Sequence, residues 1–297
     1  MSEFGYLDAL ESEAIQILRE GVAEAEHPVL LFSGGKDSTV LAQLALRAFY
    51  PSVPPLPLLH VDSTWEFREV IEFRNRFAFE NGFELVLHHN EDGRQQGLNP
   101  IDHGDLYTST MRTDALKQAL DFAGYDVIFG GARRDEEATR AKERVVSLRN
   151  AAHGWDPKNQ RPEIWSNFNW RKKSGETLRV YPLSNWTEFD LWAYILSRRV
   201  SLCPLYFASM RSVVDQNGKL IVIDDDERAA ALGFGPPQIE KVRFRSLGCW
   251  PVTAALRSEA QDIGGVVRET FSSSLSERSG RVSDAGSLER QKREGYF

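Results

Sequence analysis

Pro28-Val29-Leu30-Leu31-Phe32-Ser33-Gly34-Gly35-Lys36-Asp37-Ser38-Thr39-Val40-Leu41-Ala42-Gln43-Leu44-Ala45-Leu46 decides how the chain is organised. Its first five residues are a continuous apolar run, the pattern of a strand buried on both faces. Its last nine read as a helix packed against that strand. Between them, two glycines let the main chain turn tightly and approach an anion with no Cβ in the way. Successive amide N–H groups and a helix N-terminus then form a cradle of positive potential. Lys36 adds a full charge, and Ser33 and Ser38 add hydroxyl donors. The stretch reads as a phosphate-binding loop. A Walker A loop is excluded, because it needs Gly where this chain has Leu30 and Ser or Thr where it has Asp37.

Outward from the loop the same beat recurs. A helix precedes it, from Leu7 to about Gly21 or Ala25. After it come a strand at Leu56–Val61, a helix at Glu66–Glu80, a strand at Phe83–Leu87, a helix at Met111–Phe122 and a strand at Val127–Phe129. The last strand runs into Gly130-Gly131. Strands alternating with helices at this spacing predict α/β architecture with an open, doubly wound, mostly parallel sheet. Such sheets bind ligands outside the carboxyl ends of their strands, where this loop sits. From Ala132 to Arg179 the pattern breaks into a charged segment, in which Arg140 to Arg149 fit either a solvated helix or a binding segment, and a Trp/Asn/Pro-rich loop. Thr187 with Asp190 three residues on reads as a helix start. Arg211 to Ile223 reads as a hairpin around Gln216-Asn217-Gly218. A polar tail runs from Ser276 to Phe297. The organisation expected is a nucleotide-binding α/β domain over 1–200 and a smaller, irregular C-terminal extension over 201–297.

Composition narrows the function classes. Among 297 residues, 43 acidic side chains outnumber 36 basic ones, which weighs against a general nucleic-acid binder. Two cysteines cannot build a disulfide framework, and no Cys/His cluster spells a zinc site. No stretch has the ~18 to 20 apolar residues that cross a bilayer. The N-terminus lacks signal-peptide character, so a cytoplasmic protein is expected. Trp155, Trp165, Trp170, Trp186 and Trp192 are read as packing residues, and His60 as a satisfied core histidine.

Ser33-Gly34-Gly35-Lys36-Asp37-Ser38 after a first strand resembles the PP-loop of the ATP pyrophosphatase superfamily, whose members cleave ATP between the α and β phosphates on an adenine nucleotide alpha-hydrolase-like fold. Longer stretches narrow the choice: 57–69 (PLLHVDSTWEFRE), 129–137 (FGGARRDEE), 140–144 (RAKER), 155–163 (WDPKNQRPE), 181–188 (YPLSNWTE), 243–251 (RFRSLGCWP) and the closing Gly295-Tyr296-Phe297. Together they resemble the small, ATP-binding subunit family of bacterial heterodimeric sulfate adenylyltransferases across nearly the whole chain.

That resemblance implies ATP as substrate and adenylyl transfer to sulfate, giving adenylyl sulfate and pyrophosphate as the first step of sulfate assimilation. It also implies magnesium and a larger GTPase subunit whose GTP hydrolysis drives the uphill step, with no nucleic-acid or membrane partner. Sulfate is already ionised, so no general base is required; the difficulty is bringing a dianion to a polyanion. In this scheme Ser33, Gly34, Gly35, Asp37, Ser38, Gly130 and Gly131 hold the nucleotide, and Lys36 holds the departing pyrophosphate. Arg133 and Arg134 take sulfate or the α-phosphate through paired hydrogen bonds. Arg243 and Arg245 are second candidates for that task, Asp62 is a nucleotide or magnesium ligand, and Asp135 is a further magnesium candidate.

Two other readings stay open at this point. A phosphoadenylyl-sulfate or adenylyl-sulfate reductase would need a thiol near the C-terminus, whereas Cys203 and Cys249 precede proline-containing turns and the tail has none. A non-catalytic nucleotide sensor would use the loop for binding alone. A tRNA-thiolating relative would want a basic surface and paired cysteines, which are missing. The C-terminal region and tail are the expected partner-docking surface.

Overall fold

The computed structural model describes residues 5–136, 138–272 and 295. In chain order, α1 (Tyr6–Ala23), β1 (Pro28–Leu31), α2 (Lys36–Phe49), β2 (Leu58–Val61), α3 (Arg68–Glu80) and β3 (Leu85–His88) alternate as the apolar spacing predicts. Short helices α4 (Glu91–Gln95) and α5 (Gly104–Thr108) lead through a π-helical turn, Ser109–Asp114, into α6 (Ala115–Ala123) and β4 (Val127–Phe129). Two strands that the sequence pattern does not signal follow, β5 (Val146–Arg149) and β6 (Thr177–Val180), and then α7 (Glu188–Arg198). A second sheet is built from β7 (Ser209–Gln216), β8 (Lys219–Val222), β9 (Gln238–Arg243) and β10 (Leu256–Arg257), with α8 (Asp226–Ala231) between β8 and β9 and α9 (Ile263–Ser272) at the end.

The main sheet has the order β3-β2-β1-β4-β6-β5. All its pairings are parallel except β5 with β6. The chain moves from β1 outward to β2 and β3, then crosses back to lay β4 on the other side of β1. This reversal opens a crevice between the carboxyl ends of β1 and β4, and the loops leaving both strands meet there. Burial explains why these strands read as unbroken apolar runs. Val29, Leu31 and Ile128 face α6 through Leu116, Ala119 and Leu120. Leu30, Phe32, Val127 and Phe129 join the larger cluster with α1 and α2, through Leu18, Leu41 and Leu44 among others.

The charged segment is not a solvated helix. Ala138–Lys142 makes a short 3₁₀ turn, and Arg149 on β5 is fully buried, with Nη2 2.6 Å from Glu143 Oε1 and 3.2 Å from the Tyr181 hydroxyl. The hairpin is where the Asn-Gly pair predicts it. Asn217 and Gly218 take φ of 56° and 82°, the positive angles that a tight two-residue turn demands, and Gln216 pairs with Lys219.

The main sheet's strands all precede α7, and the wholly antiparallel second sheet begins with β7 at Ser209. Aromatic contacts bind the second sheet to the first unit: Phe67 meets Phe244 edge-on at 4.9 Å, and Trp65 stacks on Trp250 at 5.4 Å. One apolar cluster continues from Leu10 through Trp192 to Val242 and Trp250. Trp155, Trp186 and Trp192 are buried packing residues, whereas Trp165 is 90% exposed. The tail expected from Ser276 onward lies outside the described residues, apart from Gly295.

Thr187 and Asp190 form the reciprocal cap of α7. The Asp190 amide donates to Thr187 Oγ1 at 3.1 Å, and the Thr187 amide donates to Asp190 Oδ2 at 2.8 Å. Thr187→Ala is therefore expected to lower unfolding free energy by about 1 kcal/mol, read from the urea midpoint, with Thr187→Ser close to the parent protein. An unchanged midpoint in the alanine variant would contradict the cap's role.

Candidate active site

The loop after β1 is shaped by glycine. Gly34 has φ of +73°, and a Cβ there would lie 3.0 Å from Val70 Cγ1. Gly35 is the residue before α2 and brings no side chain to the helix N-terminus. Its carbonyl accepts from Ser38 Oγ at 3.0 Å and Thr39 Oγ1 at 2.8 Å, while Ser33 Oγ and Ser38 Oγ lie 3.1 Å apart. Tyr206, which follows α7, reaches back so that its hydroxyl accepts the Lys36 amide at 2.8 Å. The Lys36 amide is thus taken, while the other amides of the first α2 turn have no partner within the helix, and the positive end of the helix lies at the loop.

Charge fixes this loop to the neighbouring strand. Lys36, 1% exposed, holds Nζ 2.9 Å from Asp37 Oδ2, and Arg133 Nε lies 2.5 Å from Asp37 Oδ1. Burial alone would raise the Asp37 pKa, but Lys36 and Arg133 outweigh it and hold the carboxyl well below the usual carboxylate range. The glycine after β4 permits the approach. A Cβ on Gly131 would stand 2.9 Å from the Asp37 carbonyl carbon and 3.0 Å from the Ser38 nitrogen. Only glycine fits that contact.

The loop forms one side of a cleft of about 240 Å³. Ser33, Gly35, Lys36, Asp37, Ser38 and Gly131 line it, as do the apolar side chains Leu31, Leu59, Val61 and Leu116. The remaining wall comes from elsewhere in the chain: His60, Glu66, Arg112, Arg140, Tyr206 and residues 246–249.

The other residues singled out from sequence lie off this cleft. Gly34 shapes the loop from behind, and Gly130 continues β4 by donating its amide to the Val180 carbonyl at 2.8 Å. Arg133 and Arg134, adjacent in sequence as paired oxyanion ligands, are separated by the fold, and neither lines the cleft. Arg133 is buried behind the loop on Asp37. Arg134 faces a separate polar pocket, donating to the Glu143 carbonyl at 3.2–3.3 Å and to Asn185 Oδ1. Arg243 is held by Glu269 at 2.8 Å in the second sheet, and Arg245 by Glu188 at 2.9 Å. Asp135 accepts the Glu188 amide at 2.9 Å and is likewise outside the cleft. Asp62 follows β2, accepts the Thr64 amide at 2.8 Å and sits beside Glu66. The arginines that do line the cleft are Arg112 and Arg140. Arg112 falls inside an ordinary amphipathic pattern, and the π-helical turn that presents it leaves no mark in residue spacing.

Three cleft residues carry further chemistry. His60 is 3% exposed; its Nδ1 lies 2.8 Å from the Phe32 carbonyl and therefore carries the proton, while Nε2 is buried without a hydrogen-bond partner. It is a core histidine satisfied on one side only. Burial, with the Arg74 charge adding to it, pushes its pKa down to about 4. Glu66 takes the Ser63 amide and hydroxyl on Oε1, leaving Oε2 buried without a partner, and burial followed by the Asp62 charge raises its pKa. Cys249 is buried as the sequence suggests, yet it also borders the cleft.

A pH dependence follows from His60. Its folded pKa is depressed, so between about pH 6.5 and about pH 4 the unfolded chain binds a proton that the fold refuses. Acidification through this window should weaken the fold by up to about 1.4 kcal/mol per pH unit from this residue. His60→Asn should flatten that part of the profile in urea unfolding measured from pH 7 to 4. An unaltered slope would contradict a buried neutral imidazole.

Comparison with known proteins agrees with this geometry. The family model described as phosphoadenosine phosphosulfate reductase domain matches residues 27–255. Sulfate adenylyltransferase subunit 2 from Methylorubrum populi is 55% identical over 296 residues, covering 98% of this chain and 96% of that one. The protein of the same name from Citrifermentans bemidjiense is 53% identical, covering 100% and 99%. Among solved structures, Candida glabrata FMN adenylyltransferase with FAD and inorganic pyrophosphate superposes with a TM-score of 0.52 at 13% identity, over 100% of this chain and 88% of that one, a likeness of fold. Identity above one half along essentially the full length, on a sheet and loop of this construction, places the chain in the sulfate adenylyltransferase subunit 2 family.

Proposed function

We propose that this chain is the ATP-binding, adenylylating subunit of a sulfate adenylyltransferase, converting ATP and sulfate to adenylyl sulfate and pyrophosphate. The observation that carries the reading is the glycine-shaped loop and buried Lys36 at the N-terminus of α2, opening on a cleft at the carboxyl ends of β1 and β4, in a chain of this family.

The loop amides, Ser33, Ser38 and Lys36 take the β- and γ-phosphates. A sulfate oxygen attacks the α-phosphorus, the bond to the α–β bridging oxygen breaks, and pyrophosphate leaves with that oxygen's negative charge. No proton moves, so the chain's contribution is positioning and charge stabilisation. Lys36 does not act alone: Asp37 fixes its ammonium, and Arg133 fixes Asp37. Leu31, Leu59, Val61 and Leu116 offer the apolar slot for the adenine ring.

Magnesium, when bound, would neutralise phosphate oxygens. It keeps several waters and needs only one or two carboxylates besides phosphate. Glu66, which lines the cleft with an unpartnered Oε2, fits that need better than Asp62 beside it or Asp135, neither of which lines the cleft. Among the described residues no group of three or more His, Cys, Asp or Glu side chains converges on a metal position.

The relatives' name, subunit 2, implies a second subunit. A GTPase is the partner proposed, because a mixed phosphate–sulfate anhydride forms uphill and a second nucleotide hydrolysis supplies the drive. A cytoplasmic location fits such work; among the described residues no helix is long and apolar enough to cross a membrane. A reductase reading finds less support. Burial pushes the Cys203 thiol up to about 12, which disfavours a nucleophilic thiolate.

The test is exchange of labelled pyrophosphate into ATP by the chain assembled with its partner. Exchange should require sulfate, and Lys36→Ala should reduce it by roughly 100-fold or more, the usual effect of removing one preorganised donor. Exchange that proceeds equally without sulfate, or survives the substitution, would contradict the reading.

A further inference from the structure

We propose that the Tyr206 hydroxyl donates a hydrogen bond to an oxygen of the departing pyrophosphate, which makes Tyr206 a catalytic residue from outside the β1–α2 loop. This assignment rests on the adenylyl-transfer reading and adds to it a donor that lies 170 residues from Lys36.

Valence carries the argument. A phenolic oxygen has one hydrogen to give and lone pairs with which to receive. Tyr206 Oη receives the Lys36 amide at 2.8 Å, so a lone pair is used there and the O–H bond is directed elsewhere. Among the described residues its hydrogen meets no acceptor. The Asp37 carboxylate, whose charge Tyr206 senses, is already held by Lys36 Nζ at 2.9 Å and Arg133 Nε at 2.5 Å. A buried donor left unsatisfied is costly. Tyr206 is 1% exposed and yet lines the cleft, so an anion lying on the loop is the acceptor within its reach.

The surroundings make this hydroxyl a good donor. Burial pushes its pKa up, so the proton stays on the oxygen at neutral pH. The incoming amide polarises the O–H bond, because linked hydrogen bonds strengthen one another. That amide belongs to the first turn of α2, whose positive end therefore acts on the phosphate through Tyr206. The ring is also fixed independently of the loop. Tyr206 closes a 3₁₀ turn, Pro204–Tyr206, and its amide donates to the Cys203 carbonyl at 3.1 Å. The Leu205 carbonyl accepts the Phe244 amide at 2.8 Å, and Trp192 meets the ring edge-on at 5.8 Å. Gly35 keeps the approach open: a Cβ there would lie 3.2 Å from Ser33 Oγ and 3.6 Å from Tyr206 Oη. As the bond between the α-phosphorus and the bridging oxygen breaks, its electron pair stays with pyrophosphate. The Tyr206 proton stays on Oη, and its hydrogen bond strengthens as that charge grows.

The experiment uses the chain assembled with its partner. It measures Kd for inorganic pyrophosphate, Kd for adenylyl sulfate, and kcat for sulfate-dependent exchange of pyrophosphate into ATP. Tyr206→Phe should weaken pyrophosphate binding and lower kcat at least tenfold each. Its Kd for adenylyl sulfate, which lacks those phosphates, should stay within twofold and shows that the variant is folded. A second variant carries 3-fluorotyrosine in place of Tyr206, whose more acidic hydroxyl is a better donor and a poorer acceptor. It should bind pyrophosphate at least as tightly as the parent protein. Parent-like pyrophosphate affinity or kcat in Tyr206→Phe would overturn the assignment, as would an equal loss of both ligands. Weaker pyrophosphate binding by the fluorotyrosine variant would overturn it too, since the hydroxyl would then serve only to receive the Lys36 amide. A parent protein that binds pyrophosphate through Tyr206 but neither binds adenylyl sulfate nor catalyses the exchange would instead overturn the adenylyl-transfer reading.

Discussion

The Asp37 carboxylate, clasped between Lys36 on its own loop and Arg133 from the strand across the crevice, is the interaction on which the site depends. Three charges with little access to water are costly to assemble, and removing one member of such a group leaves the others buried and uncompensated. In exchange the clasp fixes two loops that belong to different βαβ units. It works only because Gly131 lets the β4 loop come within contact distance of the α2 backbone. An anion arriving at the α2 amides therefore meets donors that are already placed, and placed donors stabilise developing charge without reorganising.

The second sheet is part of this arrangement. Tyr206 crosses from beyond α7 to hold the Lys36 amide, Phe244 packs on Phe67 at the start of α3, and residues 246–249 complete the cleft. The cleft is thus lined from both the first sheet and the region that carries the second. Any movement between them would alter how the loop and the opposite wall face each other.

Much of this was legible in the sequence, and the reasons differ by element. Pro28–Phe32 and Val127–Phe129 read clearly because strands buried on both faces leave an unbroken apolar run. The Asn217-Gly218 turn and the Thr187 cap read clearly because their chemistry is local. β5 and β6 did not, since β5 carries Ser147 and Arg149, and β6 carries Thr177 and Arg179, polar residues that interrupt the apolar run and are nevertheless buried in the fold. The loop residues announced themselves through glycine and lysine. The arginines did not, because an arginine's role depends on which acid lies opposite it. Arg133 met Asp37 across 96 residues and Arg243 met Glu269 across 26, pairings that no local pattern displays. Arg112 was hidden for a further reason: its setting comes from an irregular helical turn and a cysteine 137 residues away.

The central claim is that the β1–α2 loop grips the terminal phosphates of ATP and leaves the α-phosphorus open to an oxyanion. A crystal structure of the chain, assembled with its partner and bound to the non-cleavable α,β-methylene analogue of ATP, tests it most directly. The account predicts β- and γ-phosphate oxygens within hydrogen-bonding distance of the 33–38 amides and Lys36 Nζ, with the α-phosphate facing the open cleft. An analogue bound with its triphosphate away from that loop, or turned so that the loop meets the adenine, would contradict it.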